Sequence, residues 1–456
     1  MAEPRLPADA PLTGWGRTAP SVAHVAPTPD EATVRAAVAA AGERGALARG
    51  LGRSYGDAAQ NAGGTVLAMA GDRPRIELDV AAGEATVWGG TSIDDLLAYV
   101  VPQGFFVPVT AGTRFVTVGG AIAADIHGKN HHADGSFADH VTRMALLLAD
   151  GSVRELTPAD PLFWATAGGM GLTGVVLRAT LRLLPIGTSR ILVDTDRLDD
   201  LDGVLAAMAE GDHRYRYSVA WIDLLAKGRH LGRSVLTRGD HAPEEALAGR
   251  AAVAPLAYRA RPLVSVPPGV PGQVLNPLSV RAFNELWFRK APRHRVGEAQ
   301  TIPAFFHPLD GVREWNRLYG RGGFVQYQFA VPFGAEEPLR AVIERFATSG
   351  APSFLCVLKR FGDANAAPLS FPMPGWTLAV DVAASRPGLG ALLHELDEIV
   401  LAAGGRHYLA KDAHTTPAAV RRGYPRLDEW RAVRDKADPT GVWRSDLGRR
   451  LGLVDP

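Results

Sequence analysis

Apolar and polar positions along this chain alternate with period two in some stretches and with helical spacing in others. Residues 75–79 and 84–88 alternate as strands do, and 92–101 has the spacing of a short amphipathic helix. Thr28-Pro-Asp-Glu31 reads as a helix start, with Thr28 as N-cap, Pro29 next and Glu31 closing a capping box. Val34, Ala37, Val38 and Ala41 would be the buried stripe of that helix. Residues 144–148 and 152–156 flank Asp150-Gly151, which predicts a hairpin. After Gly169–Gly174, Leu177, Ala179, Leu181 and Leu183 alternate with Arg178, Thr180 and Arg182, again a strand. GMGLTG matches the dinucleotide pattern GxGxxG, but that fingerprint needs a helix after its glycines, so a Rossmann reading fails. Farther on, Val325, Tyr327 and Phe329 share one face of a predicted strand and Gln326, Gln328 and Ala330 the other. Residues 354–359 and 377–381 alternate likewise. The glutamine face meets either solvent or a cavity. Elements mixed in this order predict an α+β fold.

Residues 227–298 interrupt the pattern with eight prolines, at 243, 255, 262, 267, 268, 271, 277 and 292. Proline at this density predicts a long irregular, mobile segment. The same stretch carries 12 Lys+Arg against five Asp+Glu and the apolar run Pro262–Val280. It is either a loop packed on a second domain or a basic, apolar surface for an anionic lipid or membrane face.

A length of 456 residues favours two domains. The net charge of +1 excludes a generally basic nucleic-acid binder. Cys356 is the single cysteine, so no intrachain disulfide or thiolate metal cluster is expected. The first 16 residues have no continuous apolar core, and no run of about 18 apolar residues occurs, so neither a signal peptide nor a spanning helix is expected. These features predict a soluble protein, cytoplasmic or peripheral at a membrane, with the periplasmic side left open.

Candidate chemistry concentrates in Thr117–His132, TVGGAIAADIHGKNHH. Glycine and alanine permit close approach of backbone to a ligand, and consecutive free N–H groups would form an anion nest suited to a diphosphate. Lysine is scarce, six residues against 43 arginines, so Lys129, Asn130 and three histidines crowded into six positions look like a site. A second glycine loop, Gly50–Asp57 (GLGRSYGD), lies about sixty residues earlier, and two such loops could grip one extended phosphorylated cofactor. Lysine is a compact donor whose pKa shifts on burial. The few lysines are therefore candidates for function, although Lys227 and Lys436 read as chance survivors; Lys129, Lys359 and Lys411 are singled out by lying in blocks that carry a family resemblance.

RSYGDAAQN followed by TVGGAIAADIHGKNHH resembles the FAD-binding half of the vanillyl-alcohol-oxidase type flavoproteins, and most closely the branch that oxidises decaprenylphosphoryl ribose in arabinan biosynthesis. Further matching blocks are FWATAGGMGLTG (163–174), FHPLDGVREWNRLYG (306–320), GFVQYQF (323–329), PLSFPMPGWTLAVD (368–381), YLAKD (408–412) and YPRLDEW (424–430), so the likeness covers nearly the whole chain. It implies a two-domain fold: an FAD-binding domain over 1–188, a substrate domain on an antiparallel sheet over 189–404, and a return over 405–456 that completes the first domain. It implies FAD contacts from Gly52, Arg53, Ser54, Tyr55, Gly56 and Asp57 in the first loop. From the second region it implies Gly112, Thr117, Val118, Gly119, Gly120, Ala124 and His127, with Val176 and Tyr408 from elsewhere. Around the substrate it implies Tyr55, Lys129, Gln326, Gln328, Lys359, Thr377 and Asp381. Lys411 and His127 would be the catalytic pair, and either could take the hydroxyl proton. No metal is implied. A separate NAD(P)H-dependent short-chain reductase would complete an epimerisation of the lipid-linked sugar, and oxidation of a soluble alditol or sugar lactone is the alternative. Arg53 stands where linked members carry a histidine, and Cys356 matches no linking cysteine, so the FAD should be non-covalent. Ala379 stands where some members carry cysteine, and Thr377 where asparagine is expected.

Overall fold

The computed structural model describes residues 9–71 and 75–455. The reading of the first 16 residues as no signal peptide falls partly on residues 1–8, outside the described residues. In the first sheet, strands Ser21–Pro27, Thr65–Ala68 and Ala46–Arg49 run parallel, with Asp9–Leu12 antiparallel at the edge. A second, antiparallel sheet has the order Ile76–Asp79, Glu84–Trp88, Val175–Arg182, Val141–Leu147, Val153–Leu156. Its central strand follows GMGLTG as the alternation predicts, and Asp150-Gly151 closes the hairpin. Val34, Leu67, Leu147, Leu177 and Trp443 form a core shared by the two sheets.

The first helix, Glu31–Ala39, begins two residues later than expected. Asp30, not Thr28, is its N-cap, accepting from the Thr33 N–H at 2.9 Å. Thr28 instead donates its hydroxyl to the Ala68 carbonyl at 3.1 Å, and the carboxylate is left as the cap acceptor.

The third sheet is antiparallel and eight-stranded: His294–Thr301, Arg190–Leu198, Ser234–His241, Tyr217–Ile222, Cys356–Phe361, Gly375–Ala383, Phe324–Pro332, Arg406–His407. Helices Leu201–Gly211, Glu336–Ser349 and Leu389–Ala402 cover one face, meeting Tyr327, Phe329, Leu358, Leu378 and Val380 in a continuous apolar core. The opposite face carries the alternate residues, among them Gln326, Gln328, Lys359, Thr377 and Ala379.

Residues 227–298 are more regular than their prolines suggest. Ser234–His241 is a central strand of this sheet, and Pro277–Lys290 is a helix of 14 residues. Pro277 occupies the first helical turn, where its missing N–H costs nothing, and Asn276 caps it. The return expected from residue 405 begins later, because Arg406–His407 still pairs with Phe324–Pro332 as the edge strand of the third sheet. Beyond it the chain goes back to the first two sheets, where Trp430 Nε1 donates to the Ala165 carbonyl at 2.9 Å and Trp443 bridges to Ala46. Among the described residues, no helix is long and apolar enough to cross a membrane.

Candidate active site

A cavity of about 740 Å³ lies between the polar face of the eight-stranded sheet and the two glycine loops. That size suits a cofactor with its substrate. The first loop, after strand Ala46–Arg49, is tied down on both sides. The Trp15 N–H donates to the Ser54 carbonyl at 2.7 Å, and the Tyr55 N–H donates to the Ala410 carbonyl at 3.0 Å. The second bond draws Lys411 to the loop, so its Nζ sits 3.8 Å above the Tyr55 ring. A Cβ on Gly56 would lie 2.0 Å from the Asp412 carbonyl, so only glycine permits this approach.

The second loop differs from expectation. Thr117 caps a short helix, Val118–Ala123, and its N–H groups are already spent inside the protein. Val118 donates to Thr91, Gly119 to Gly89, and Gly120 to Thr117 Oγ1, so these amides form no free anion nest. What Gly119 and Gly120 provide is a smooth wall. The chain then turns at Asp125, in a left-handed conformation at φ 37°. Its buried carboxylate accepts from Ser136 Oγ, the Ala138 N–H and Asn365 Nδ2 at 2.7–3.0 Å. Asp125 thus fixes the segment leading to His127, a role the sequence reading missed; its one signal was a lone acid in an apolar run.

His127 is buried among the rings of Phe361, Phe371 and Tyr408 at 4.8–5.5 Å. Burial first, then the charge of Lys359, holds its pKa well below the usual range, so the imidazole is neutral. Gln328 Nε2 donates to His127 Nε2 at 3.0 Å, which leaves the ring proton on Nδ1, an atom without a protein partner. Gln328 also reaches Thr377 Oγ1 at 3.3 Å. Gln326 bridges Asp381 and, at 3.3 Å, the Tyr55 hydroxyl. Register explains these pairs: Gln326 is opposite Asp381, Gln328 opposite Ala379, and Lys359 opposite Thr377.

Three half-buried lysines surround the same space. Burial lowers Lys359 to about 8 and Lys129 to about 7, the latter helped by Lys359. Lys411 is also lowered by burial, while Asp381 opposes that shift. Asp381 is raised by burial against its bond from Gln326 and the charge of Lys411. Lys129 is partly committed: it donates to the Phe305 carbonyl and lies 4.2 Å over the Phe305 ring.

Most residues expected at the site line the cavity: Gly52, Arg53, Ser54 and Tyr55; Gly112, Thr117, Gly119, Gly120 and Ala124; and His127, Lys129, Val176, Gln326, Gln328, Lys359, Tyr408 and Lys411. Others do not. Asp57 is held by Arg450 at 2.7 and 2.9 Å, Gly56 packs against Asp412, and Val118 is fully buried in core. Thr377 and Asp381 stand behind the two glutamines, accepting hydrogen bonds from Gln328 and Gln326 respectively. His131 and His132 serve the frame, His131 Nδ1 accepting from the Gly362 N–H at 3.1 Å and His132 Nε2 meeting the Tyr215 carbonyl at 2.9 Å. The sequence reading also missed an apolar end of the cavity, where Trp221, Val235, Phe283, Trp287 and Phe354 are scattered over two strands, one helix and a loop.

Residues 22–157 match the family model described as FAD binding domain, and residues 322–451 match that of D-arabinono-1,4-lactone oxidase. A decaprenylphosphoryl-β-D-ribose oxidase from Mycolicibacterium smegmatis is 47% identical over 450 residues, covering 97% of each chain. The chain belongs to that family of FAD-dependent oxidoreductases. More distant similarities run to an alditol oxidase of a Streptomyces species, 25% identical over 96% of this chain and 98% of its own. A Mycobacterium tuberculosis L-gulono-1,4-lactone dehydrogenase is 24% identical over 95% of this chain and 96% of its own.

The cavity suits FAD on its own terms. Backbone and small side chains line one end of it, and Thr110 Oγ1 and His127 Nδ1, both on lining residues, are buried without protein partners. Arg53 lies 4.0 Å over the Trp15 ring, and Cys356 packs in the core on the helix-covered face of the sheet.

Proposed function

We propose that this enzyme oxidises the 2′-hydroxyl of decaprenylphosphoryl-β-D-ribose to the 2′-ketone. The observation that carries the reading is 47% identity, end to end, with a decaprenylphosphoryl-β-D-ribose oxidase. Bound FAD would supply the hydride acceptor. The protein's part is to orient the alcohol and move its proton. Lys411, its amine made less basic by burial, is the better acceptor. His127 Nε2 is occupied by Gln328, so His127 would offer Nδ1–H to polarise the sugar oxygen. Lys129 and Lys359 would bind the sugar and its phosphate. The keto product would pass to a separate NAD(P)H-dependent short-chain reductase, giving net epimerisation to the arabinose lipid used in cell-wall arabinan. The two halves, FAD-binding over 1–188 with the return over 405–456 and substrate-binding over 189–404, would meet at this cavity.

Anaerobic holoenzyme mixed with lipid-linked ribose should lose its oxidised-flavin absorbance, and free alditols should leave it unchanged. Bleaching by alditols alone would replace this reading with soluble polyol oxidation. Acid precipitation should release all the flavin, because Arg53 stands at the position where linked members carry a histidine and Cys356 packs in the core on the helix-covered face of the sheet; fluorescence remaining on the denatured band would overturn that.

A further inference from the structure

Nine of the 13 exposed large hydrophobic side chains among the described residues fall between positions 253 and 296. The helix Pro277–Lys290 carries four of them. Its inward stripe, Val280, Asn284 and Phe288, follows four-residue spacing and is buried. The remainder of its surface mixes charged residues with large apolar ones, where such a helix normally shows water a polar face. Leu278 is 78% and Leu286 69% exposed, and Phe283 and Trp287, ring centroids 6.1 Å apart, are each 43% exposed. Phe283 and Trp287 also line the cavity, beside Phe354 and Trp221. The apolar end of the cavity therefore opens on an apolar exterior. Strand Val264–Ser265 adds Leu263 and Val264 to that exterior. It pairs with Val312–Arg313, next to the cavity-lining Leu309 and Trp315.

Charge accompanies the apolar surface. The segment 227–298 has seven more Lys+Arg than Asp+Glu in a chain whose net charge is +1. Arg281, Arg289 and Lys290 are exposed on the helix itself, and Arg259 and Arg261 lie upstream. An isolated apolar patch would suit many protein partners. One mixed with this cationic excess suits the interfacial zone of an anionic bilayer, where apolar groups enter the acyl boundary and guanidinium groups meet phosphates.

We infer that the helix Pro277–Lys290 with strand Val264–Ser265 is a membrane-docking surface, and that the lipid chain of the substrate passes between Phe283, Trp287 and Phe354 directly from bilayer to cavity. This rests on the lipid-linked substrate proposed above. In this arrangement the sugar reaches Lys411 while the lipid chain remains in contact with apolar side chains.

The test uses holoenzyme, sedimentation with vesicles of mixed anionic and zwitterionic phospholipid, and anaerobic flavin reduction by two substrates: a short-prenyl ribose phosphate free in solution and the long-chain form embedded in vesicles. Leu278→Ser with Leu286→Ser should weaken vesicle binding roughly tenfold or more. Arg259→Ser, Arg261→Ser and Arg281→Ser together should weaken it about a hundredfold at low salt, a difference that added salt removes. Both variants should keep full FAD content and reduce normally with the soluble substrate, yet turn over the vesicle-borne one more slowly by the same factors. Sedimentation of both variants like the parent would overturn the docking surface. Failure of either ribose substrate to reduce the parent enzyme's flavin would overturn the proposed reaction, and vesicle binding would still decide the surface. The charge variant serves as the second arm should the leucine variant lose FAD.

Discussion

The two faces of the strands Phe324–Pro332 and Gly375–Ala383 are equally dry and chemically opposite. On one, Tyr327, Phe329, Leu378 and Val380 are each at most 1% exposed and lie under three helices. On the other, Gln326, Gln328, Thr377 and Asp381 are each at most 8% exposed and stand in or behind the cavity wall. Burial of apolar groups stabilises the fold, whereas burial of amides, carboxylates and lysines costs free energy unless each is bonded. The polar face meets that condition only in part: Gln326 and Gln328 are bonded, but Asp381 Oδ2 and His127 Nδ1 have no partner. The sheet is thus held by one face and left poised for chemistry on the other, and the two should respond to mutation in opposite ways.

The largest effect on the reactive side is expected from Lys411→Ala. The variant should bind FAD, since Lys411 reaches the site through the Tyr55–Ala410 backbone bond, which alanine preserves. Substrate-driven flavin reduction, followed by stopped flow without oxygen, should fall by about 10²–10⁴. Near-normal reduction would remove Lys411 from proton transfer, and loss of FAD would make it structural.

Period two in the sequence was enough to separate these faces, because adjacent strand residues must point opposite ways whatever they pack against. The hairpin at Asp150-Gly151 and the strand after Gly174 were legible for the same local reasons. What was not legible depended on distant partners. Both Thr28 and Asp30 can cap a helix, and the choice was made by the Ala68 carbonyl forty residues away. His127, His131 and His132 look alike in sequence, yet only the first lines the cavity, since Gly362 and Tyr215 engage the others. Proline density argues against regular structure, yet Pro277 begins a helix, because a proline in the first turn gives up no helical hydrogen bond. The apolar end of the cavity left no motif, because its residues meet only after the sheet has formed.

On the apolar side, Phe329→Ala should cost about 3–5 kcal/mol through the cavity it leaves beneath the helices. Urea unfolding of the holoenzyme would show this as a lower midpoint. Protein that remains folded should reduce its flavin within a few-fold of the parent rate, the reverse of Lys411→Ala. A stable variant with slow reduction would mean that the two faces are not separable.

The subtlest expectation is that one polar-face residue opposes stability. Lys359 is half-buried in the cavity wall, and its removal from bulk water lowers its pKa from 10.5 to about 8. Below pH 8 it is charged both folded and unfolded, and the folded protein bears the cost of a partly desolvated ammonium. Between pH 8 and about 10.5 the folded state releases the proton while the unfolded chain keeps it, so stability rises with pH across that window. Lys359→Met removes the titrating group while keeping its bulk. At pH 7 the variant should be more stable than the parent, by on the order of 3 kcal/mol from the size of the shift. By pH 10 most of that advantage should be gone. Lys129 and Lys411 are present in both proteins and largely cancel in the difference. Loss of the Lys359 charge should also let them rise, moving the acid limb of flavin reduction to higher pH. Paired urea titrations at pH 7 and 10 provide the check: an equal gap at both values would show that Lys359 is not the cation whose burial the fold tolerates for the sake of the site.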